Sequence, residues 1–274
     1  MYLFARLVAG GGQLMIDIKP MKLIAREARC FLIILITAFA AQAAAPVRDP
    51  QALALLAQCG TAMGAASIQD SYATGTLTTD DPATPAEPIT SQTKGAAERL
   101  DISSANGTQT YVLNGGSSWA VRENTKELVP YALSAYHRPE HSPSLACVLD
   151  VGNSNMSFVY VGQEKFLNTT VHHIRIFVPA PADDNTDSLI SEINVFIDTG
   201  TLIVLKTEGY VFDPEAYQNH SVWATYYSDY RTVGTALMPF HIENYLDGHK
   251  VRDVKFNSAQ INAGIADTEF QNPN

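Results

Sequence analysis

From Tyr72 onward the chain is a succession of short segments rich in Thr, Val, Ile and aromatic residues, each closed by a turn signal. YATGTLTT, ERLDIS, TQTYVLN and SSWAVR come first, divided by Asp80-Asp81-Pro82, Asn106-Gly107 and Asn114-Gly115-Gly116. After a less regular stretch the pattern resumes with MSFVYVGQEKF, VHHIRIFVPA, LISEINVFID, TLIVLKTEGYVF, HSVWATYYSDYRTV, PFHIENYLDG and HKVRDVKFNSAQIN. β-branched and aromatic residues suit a pleated, half-buried surface, and Gly, Asn, Asp and Pro supply the backbone angles of turns. No long helix separates the later strands, so βαβ crossovers are disfavoured and antiparallel meanders expected. The pattern predicts a mainly β fold with α+β content: one twisted antiparallel sheet of about 10 or 11 strands, wide enough that it should curl or close.

The first 45 residues are of a different kind. From Met21 they read as an export signal: basic Lys22, Arg26 and Arg29, an apolar run from Cys30 to Ala41, then small residues before Pro46. Residues 1–45 are therefore expected to be removed, with Met21 as an alternative start, leaving 46–274 as a single domain in the periplasm or outside the cell. The other reading is an uncleaved anchor, although the apolar run is shorter than the roughly 18 residues a membrane helix requires. Asp49 to Met63 then reads as a helix, with Asp49 as N-cap, Pro50 in the first turn, and Gly60 and Gly64 as stops. A second, short helix is expected in SPSLACVLD, capped by Ser142 or Ser144.

Charge excludes one class of partner. The chain carries 18 Lys and Arg against 28 Asp and Glu, and the imbalance grows to −13 beyond residue 45, because five of the bases and two of the acids precede Pro46. Binding to nucleic acid needs a basic surface that displaces counterions, so it is not expected. Two cysteines remain in the exported part, Cys59 and Cys147. They form either a disulfide, as an oxidising compartment allows, or two separate buried thiols.

The candidate chemistry is sparse. His137 and His141 flank Arg-Pro-Glu, and Pro139 prevents the helix on which two such imidazoles would face one metal, so only a loop can present them. His172 and His173 are adjacent on a strand and point to opposite faces. Asp80-Asp81 and Asp183-Asp184 lie in polar loops, with nothing to raise a carboxyl pKa by burial. Asp183, Asn185 and Asp187 alternate like calcium ligands but lack the glycine and closing Glu of that motif. Gly115-Gly-Ser-Ser-Trp119 runs from a turn into a strand, whereas a nucleophilic serine elbow runs from a strand into a helix. No catalytic residue, metal site or cofactor is implied by any of these patterns.

What stands out is aromatic content on strands with little helix to cover them: Trp119, Phe158, Tyr160, Phe177, Phe196, Trp223, Tyr227 and Phe240. An ordinary core would use them, and so would an apolar groove on a curved sheet, where they would line a site for acyl chains or a hydrophobic segment. In YYSDYRTVGTALMPFHIENYLDG, Thr235 to Met238 reads as the turn and Pro239 as the start of the next strand. Its Asp229, Arg231, His241 and Glu243 read as cross-strand polar partners.

The carboxy-terminal part resembles the LolA/LolB-like superfamily of outer-membrane lipoprotein-sorting proteins, closest to exported members of acidobacterial type. The residues that carry the likeness are Asp229-Tyr230-Arg231, Gly234 to Pro239, Asn262, Asp267 and Phe270 to Pro273, over roughly the last 80 residues. The resemblance implies a half-open, incomplete β-barrel of about eleven strands, with an amino-terminal helix and a few short helices on its concave face covering an apolar cavity. It also implies binding of lipid or lipoprotein acyl chains without catalysis, with an envelope protein as a further partner. Two other readings compete with it: an exported metal-dependent enzyme using His137 and His141, and a structural or interaction module of the cell envelope.

Overall fold

The computed structural model describes residues 45–114, 118–122, 125–129, 139–179, 186–213 and 216–271. The expected export segment ahead of Ala45, His137 and the Asp183-Asp184 pair lie outside them. Helix α1 (Pro50–Ala62) begins as the sequence predicts: the Asp49 carboxylate accepts the Gln51 N–H at 2.8 Å, and Pro50 occupies the first turn, where its missing N–H costs nothing. Ala52, Leu55, Leu56, Cys59 and Met63 form its buried stripe at helical spacing. Gly60 does not stop the helix. The chain turns at Gly64, in the left-handed region at φ 68°, where a Cβ would lie 2.3 Å from the Thr235 carbonyl oxygen.

Thirteen strands follow: β1 (Asp70–Thr79), β2 (Glu87–Lys94), β3 (Ala97–Ser104), β4 (Gly107–Leu113), β5 (Trp119–Arg122), β6 (Thr125–Leu128), β7 (Ser157–Phe166), β8 (Thr169–Phe177), β9 (Ile193–Asp198), β10 (Val204–Asp213), β11 (Ala216–Val233), β12 (Ala236–Leu246) and β13 (His249–Ile261). All belong to one antiparallel sheet that is not closed into a barrel, in the order β6-β5-β4-β3-β2-β1-β13-β12-β11-β10-β9-β8-β7. The chain thus runs from the centre to one edge, reappears at the other edge, and meanders back until β13 pairs with β1. Gly75 permits that closing pair: at the β1 bulge a Cβ would sit 2.2 Å from the Lys255 carbonyl oxygen.

Two of the strands go beyond those expected from sequence. β2, EPITSQTK, buries Ile89, Ser91 and Thr93, so polar residues occupy positions where an apolar period would have marked a strand. β6, TKEL, is exposed throughout and is held only as an edge. Other expectations need correction. LISEINVFID is not strand throughout: Thr186–Ser191 forms helix α3, and the Ser191 hydroxyl accepts the Val178 N–H at 2.7 Å before β9 starts at Ile193. The β11–β12 turn is Gly234-Thr235, with Gly234 at φ 61°, and β12 begins at Ala236. Pro239 therefore lies inside β12, opposite Tyr230 and beside Asp229, whose φ of 51° interrupts the ladder where a proline N–H would be missing.

β6 and β7 are the two outermost strands, and of the crossing connection between them residues 139–156 are described. They carry α2 (Pro143–Ala146), which follows Ser142 as its N-cap residue. α1 and α2 lie on one face of the sheet, where Leu56, Cys59, Met63, Ala146 and Cys147 pack against Ile174, Ile176, Val195, Ile197, Ile242 and Val254. The other face is covered at one place by the carboxy-terminal turn, whose Phe270 packs on Ala97 and Val112.

Candidate ligand-binding cavity

On the helix-covered face a cavity of about 510 Å³ opens between distant parts of the sheet. Glu98 and Leu100 of β3 and Tyr111 and Leu113 of β4 form one wall; Thr207 to Val211 of β10, with Trp223, Thr225 and Tyr227 of β11, form the other. Ile190, Glu192 and Ile193, where α3 meets β9, and Pro139, Glu140 and Ala146 of the crossing connection complete it with Arg252. Strands lie about 4.8 Å apart, so the seven steps from β4 to β10 would span roughly 34 Å in a flat sheet. Both strands touch one cavity, and the sheet therefore curls around it.

Period two explains which β11 residues reach the cavity. Trp223, Thr225 and Tyr227 alternate with residues of the opposite face. Tyr227 is 5% exposed and its phenol shares a 3.0 Å hydrogen bond with Thr207. Burial pushes that phenol far above the usual tyrosine range, so it stays neutral. Burial also raises Tyr210, and the nearby Glu192 and Glu208 carboxylates raise it further.

The crossing connection is fixed by two neighbouring side chains. Glu140 accepts the Trp223 indole N–H at 2.7 Å, the Asn244 amide at 3.4 Å, and lies 3.5 Å from the Arg252 guanidinium, which itself sits 5.0 Å above the Trp223 ring. His141 is 3% exposed, with its ring edge-on to Phe256. Its Nδ1 lies 2.7 Å from the fully buried Glu98 carboxylate and 2.8 Å from the Ser91 hydroxyl. A serine relay needs the hydroxyl and the carboxylate on different ring nitrogens. Here both meet Nδ1, and the arrangement compensates a buried carboxylate while tying the connection to β2 and β3.

Of the eight aromatic residues singled out from the sequence, Trp223 and Tyr227 line the cavity. Phe158, Tyr160 and Phe240 belong to the adjacent core. Trp119 is paired with Val112, so it shares the face opposite the cavity, beneath Lys126 at 4.9 Å. Phe177 and Phe196 also point to that face: Arg175 lies 5.1 Å above the first, while His173 stacks on the second at 4.5 Å. Leu100, Tyr111, Leu113 and Val211 escaped sequence reading because the walls belong to strands far apart in the chain. The period-two spacing of Tyr111 and Leu113 is the one local signal of a shared inward face.

The remaining polar residues divide into local pairs. His172 Nδ1 meets the Tyr160 hydroxyl at 3.0 Å, and His173 bridges Glu164 and Asn194. Asp229 pairs with Arg231 on its own strand, whereas His241 meets Ser228 and Asp253 on the two adjacent strands. His241, Glu243 and Asp253 converge closely enough to suggest a cation site, but the Lys250 ammonium already bridges the two carboxylates at 3.0 and 3.1 Å. Cys59 and Cys147 are buried with their Sγ atoms 2.6 Å apart, joining α1 to the crossing connection. Contact with Cys59 and burial push the Cys147 thiol well up. No helix among the described residues is long and apolar enough to cross a membrane.

No protein-family model matches the chain, and no curated protein matches its sequence. Solved structures do match its fold. A DUF1329 family protein from Desulfovibrio piger superposes with a TM-score of 0.53 at 11% identity, over 83% of this chain and 98% of that one. A domain from Vibrio parahaemolyticus, whose description proposes outer membrane lipoprotein sorting, gives 0.54 at 10% identity over 80% and 95%. A LolA superfamily protein from Nitrosomonas europaea gives 0.52 at 11% identity over 81% and 97%.

Proposed function

We propose that this chain, which has a LolA-like fold, is an exported carrier that holds a hydrophobic ligand, a lipid or a lipoprotein acyl chain, without chemically changing it. The observation that carries the reading is the cavity of about 510 Å³ between the curled sheet and the crossing connection. Its volume falls in the range of small-molecule sites, and its walls combine Leu, Ile, Val and aromatic side chains with a few placed polar groups. The resemblance to lipoprotein-sorting proteins supports the same reading at the level of fold. Work outside the cytoplasm follows from the signal pattern of residues 21–45, and an envelope protein that delivers or receives the ligand is the natural partner.

The two tryptophans provide the test. Trp223 lines the cavity and Trp119 faces away, so Trp119→Phe leaves a single reporter at the site. Titration with a neutral alkyl amphiphile is expected to shift the Trp223 emission to the blue, and lipid extraction of protein purified from its host should yield a bound ligand. An unchanged emission together with an empty extract would refute the proposal.

A further inference from the structure

The β10 residues that border the cavity reach it in two ways. Thr207, Gly209 and Val211 share its inner face: Thr207 pairs with Val195 and Thr225, and Gly209 with Ile193 of β9 and Trp223 of β11. Glu208 and Tyr210 alternate with them and border the space with backbone only; the Glu208 carboxylate meets Lys206 on the opposite face. Glu192 also turns its carboxylate to that face, where the Asn194 amide donates to it at 3.0 Å.

Gly209 is the gap in this inner wall. The described strands hold three other glycines, and each has a backbone reason. Gly107 and Gly162 adopt φ of 117° and 144°, and at Gly75 a Cβ would collide with β13. Gly209 has no positive φ, and a Cβ there would meet one atom within 4 Å, the Glu192 carbonyl oxygen at 3.1 Å. Glycine inside a strand is destabilising, and one of its uses is to let a ligand approach the backbone closely. Ile193 and Trp223 flank Gly209 from strands two spacings apart, about 9.6 Å, while Thr207 and Val211 bound it along β10. Between the four lies a slot one side chain wide that opens into the cavity.

We propose that Gly209 sets the specificity of the cavity: the ligand's unbranched alkyl or acyl chain lies in this slot against the β10 backbone, between Ile193 and Trp223, and ring-bearing or branched chains bind less tightly. This rests on the carrier reading and names the shape of chain that the same cavity takes.

The test is calorimetric titration of the full chain with two neutral probes below their micelle concentrations, dodecyl maltoside and cyclohexylhexyl maltoside, which share a head and a number of tail carbons. The parent is expected to bind the linear probe roughly threefold or more tightly than the cyclic one. Gly209→Val should keep or raise the urea midpoint, because it replaces a strand glycine with a residue that favours strands. It should nevertheless lose roughly tenfold or more in dodecyl maltoside affinity, because its side chain fills the slot. Gly209→Ala adds one carbon and is expected to weaken the linear probe by roughly threefold while widening the preference over the cyclic one. Where Gly209→Val fails to fold, Gly209→Ala decides. Equal binding of both probes by the parent, or a folded deciding variant that binds dodecyl maltoside as the parent does, overturns the inference while the carrier reading stands. Failure of the parent to bind either probe overturns both.

Discussion

Tyr226 and Tyr227 are neighbours on β11 and divide the two faces of the sheet between them. Tyr227 is buried, hydrogen-bonded to Thr207 and part of both the core and the cavity wall. Tyr226 points the other way, where its ring meets Tyr245 at 4.8 Å, Phe166 at 5.6 Å and the Lys206 ammonium at 5.6 Å. On the inner face an aromatic is enclosed and its hydroxyl must find a partner; on the outer face it is held by stacking and by cations. The same residue type, one position apart, is built into a potential binding wall in one case and a surface cluster in the other.

The largest effect is expected where the inner face is opened. Tyr227→Ala removes a buried ring, and large-to-small aromatic replacements of this kind cost about 3–5 kcal/mol. Urea unfolding should show the loss, and the alkyl probe should bind less tightly. Tyr227→Phe keeps the ring and breaks only the contact with Thr207, at about 1 kcal/mol. If the two variants were equally destabilised, the phenol rather than the ring would be holding this wall.

Next comes the clamp between α1 and the crossing connection. With Cys59 and Cys147 in contact, air-oxidised protein is expected to contain a disulfide, seen as an intact mass lower by the two thiol hydrogens. Reduction, or Cys59→Ala with Cys147→Ala, should destabilise the fold by about 2–4 kcal/mol, because the bond closes a long loop. Two free thiols in the oxidised protein would show that close packing alone joins these segments, and reductant would then leave the unfolding midpoint unchanged.

The difference between the faces was legible in sequence only within each strand. Alternation separates Tyr226 from Tyr227, and Asp49-Pro50 announces α1, because both signals are local. Which face is inside, and which inside residues border empty space, depends on β4 and β10 meeting across a curled sheet, and no local pattern encodes that encounter. β2 was illegible for a different reason: its buried Ser91 and Thr93 serve the polar contacts that tie down His141 and Ser142, so its inner positions do not look apolar. The His137/His141 motif suggested a metal loop, whereas His141 is committed to Glu98 and Ser91 inside the protein.

A buried carboxylate, belonging to neither aromatic cluster, sets the scale between them. Asp198 ends β9, and its carboxylate accepts from the Thr169 hydroxyl, the Gly200 and Thr201 N–H groups and the Thr201 hydroxyl. Burial works to raise its pKa, and these hydrogen bonds overcome burial, leaving it below the ordinary Asp value. A carboxyl depressed in the folded state stabilises the fold above its unfolded pKa, near 4, and loses that contribution as pH falls through the folded value. Asp198→Ala is therefore expected to cost about 2 kcal/mol at neutral pH. Its deficit relative to the parent should shrink below about pH 4, and a deficit independent of pH would assign the effect to packing.

The smallest effect belongs to the outer face. Tyr226→Ala removes stacking with Tyr245 and Phe166 but leaves no enclosed void, so about 1 kcal/mol is expected from aromatic contacts of this kind. Alkyl-probe affinity should not change, because Tyr226 has no share in the cavity wall. Tyr226→Leu sharpens the point, since it restores apolar bulk without a π face for Lys206. If Tyr226→Ala proved as costly as Tyr227→Ala, or weakened probe binding equally, the outer cluster would be a second core that props the curl of the sheet from behind. The cavity would then depend on both faces, and the division between Tyr226 and Tyr227 would be one of exposure and not of role.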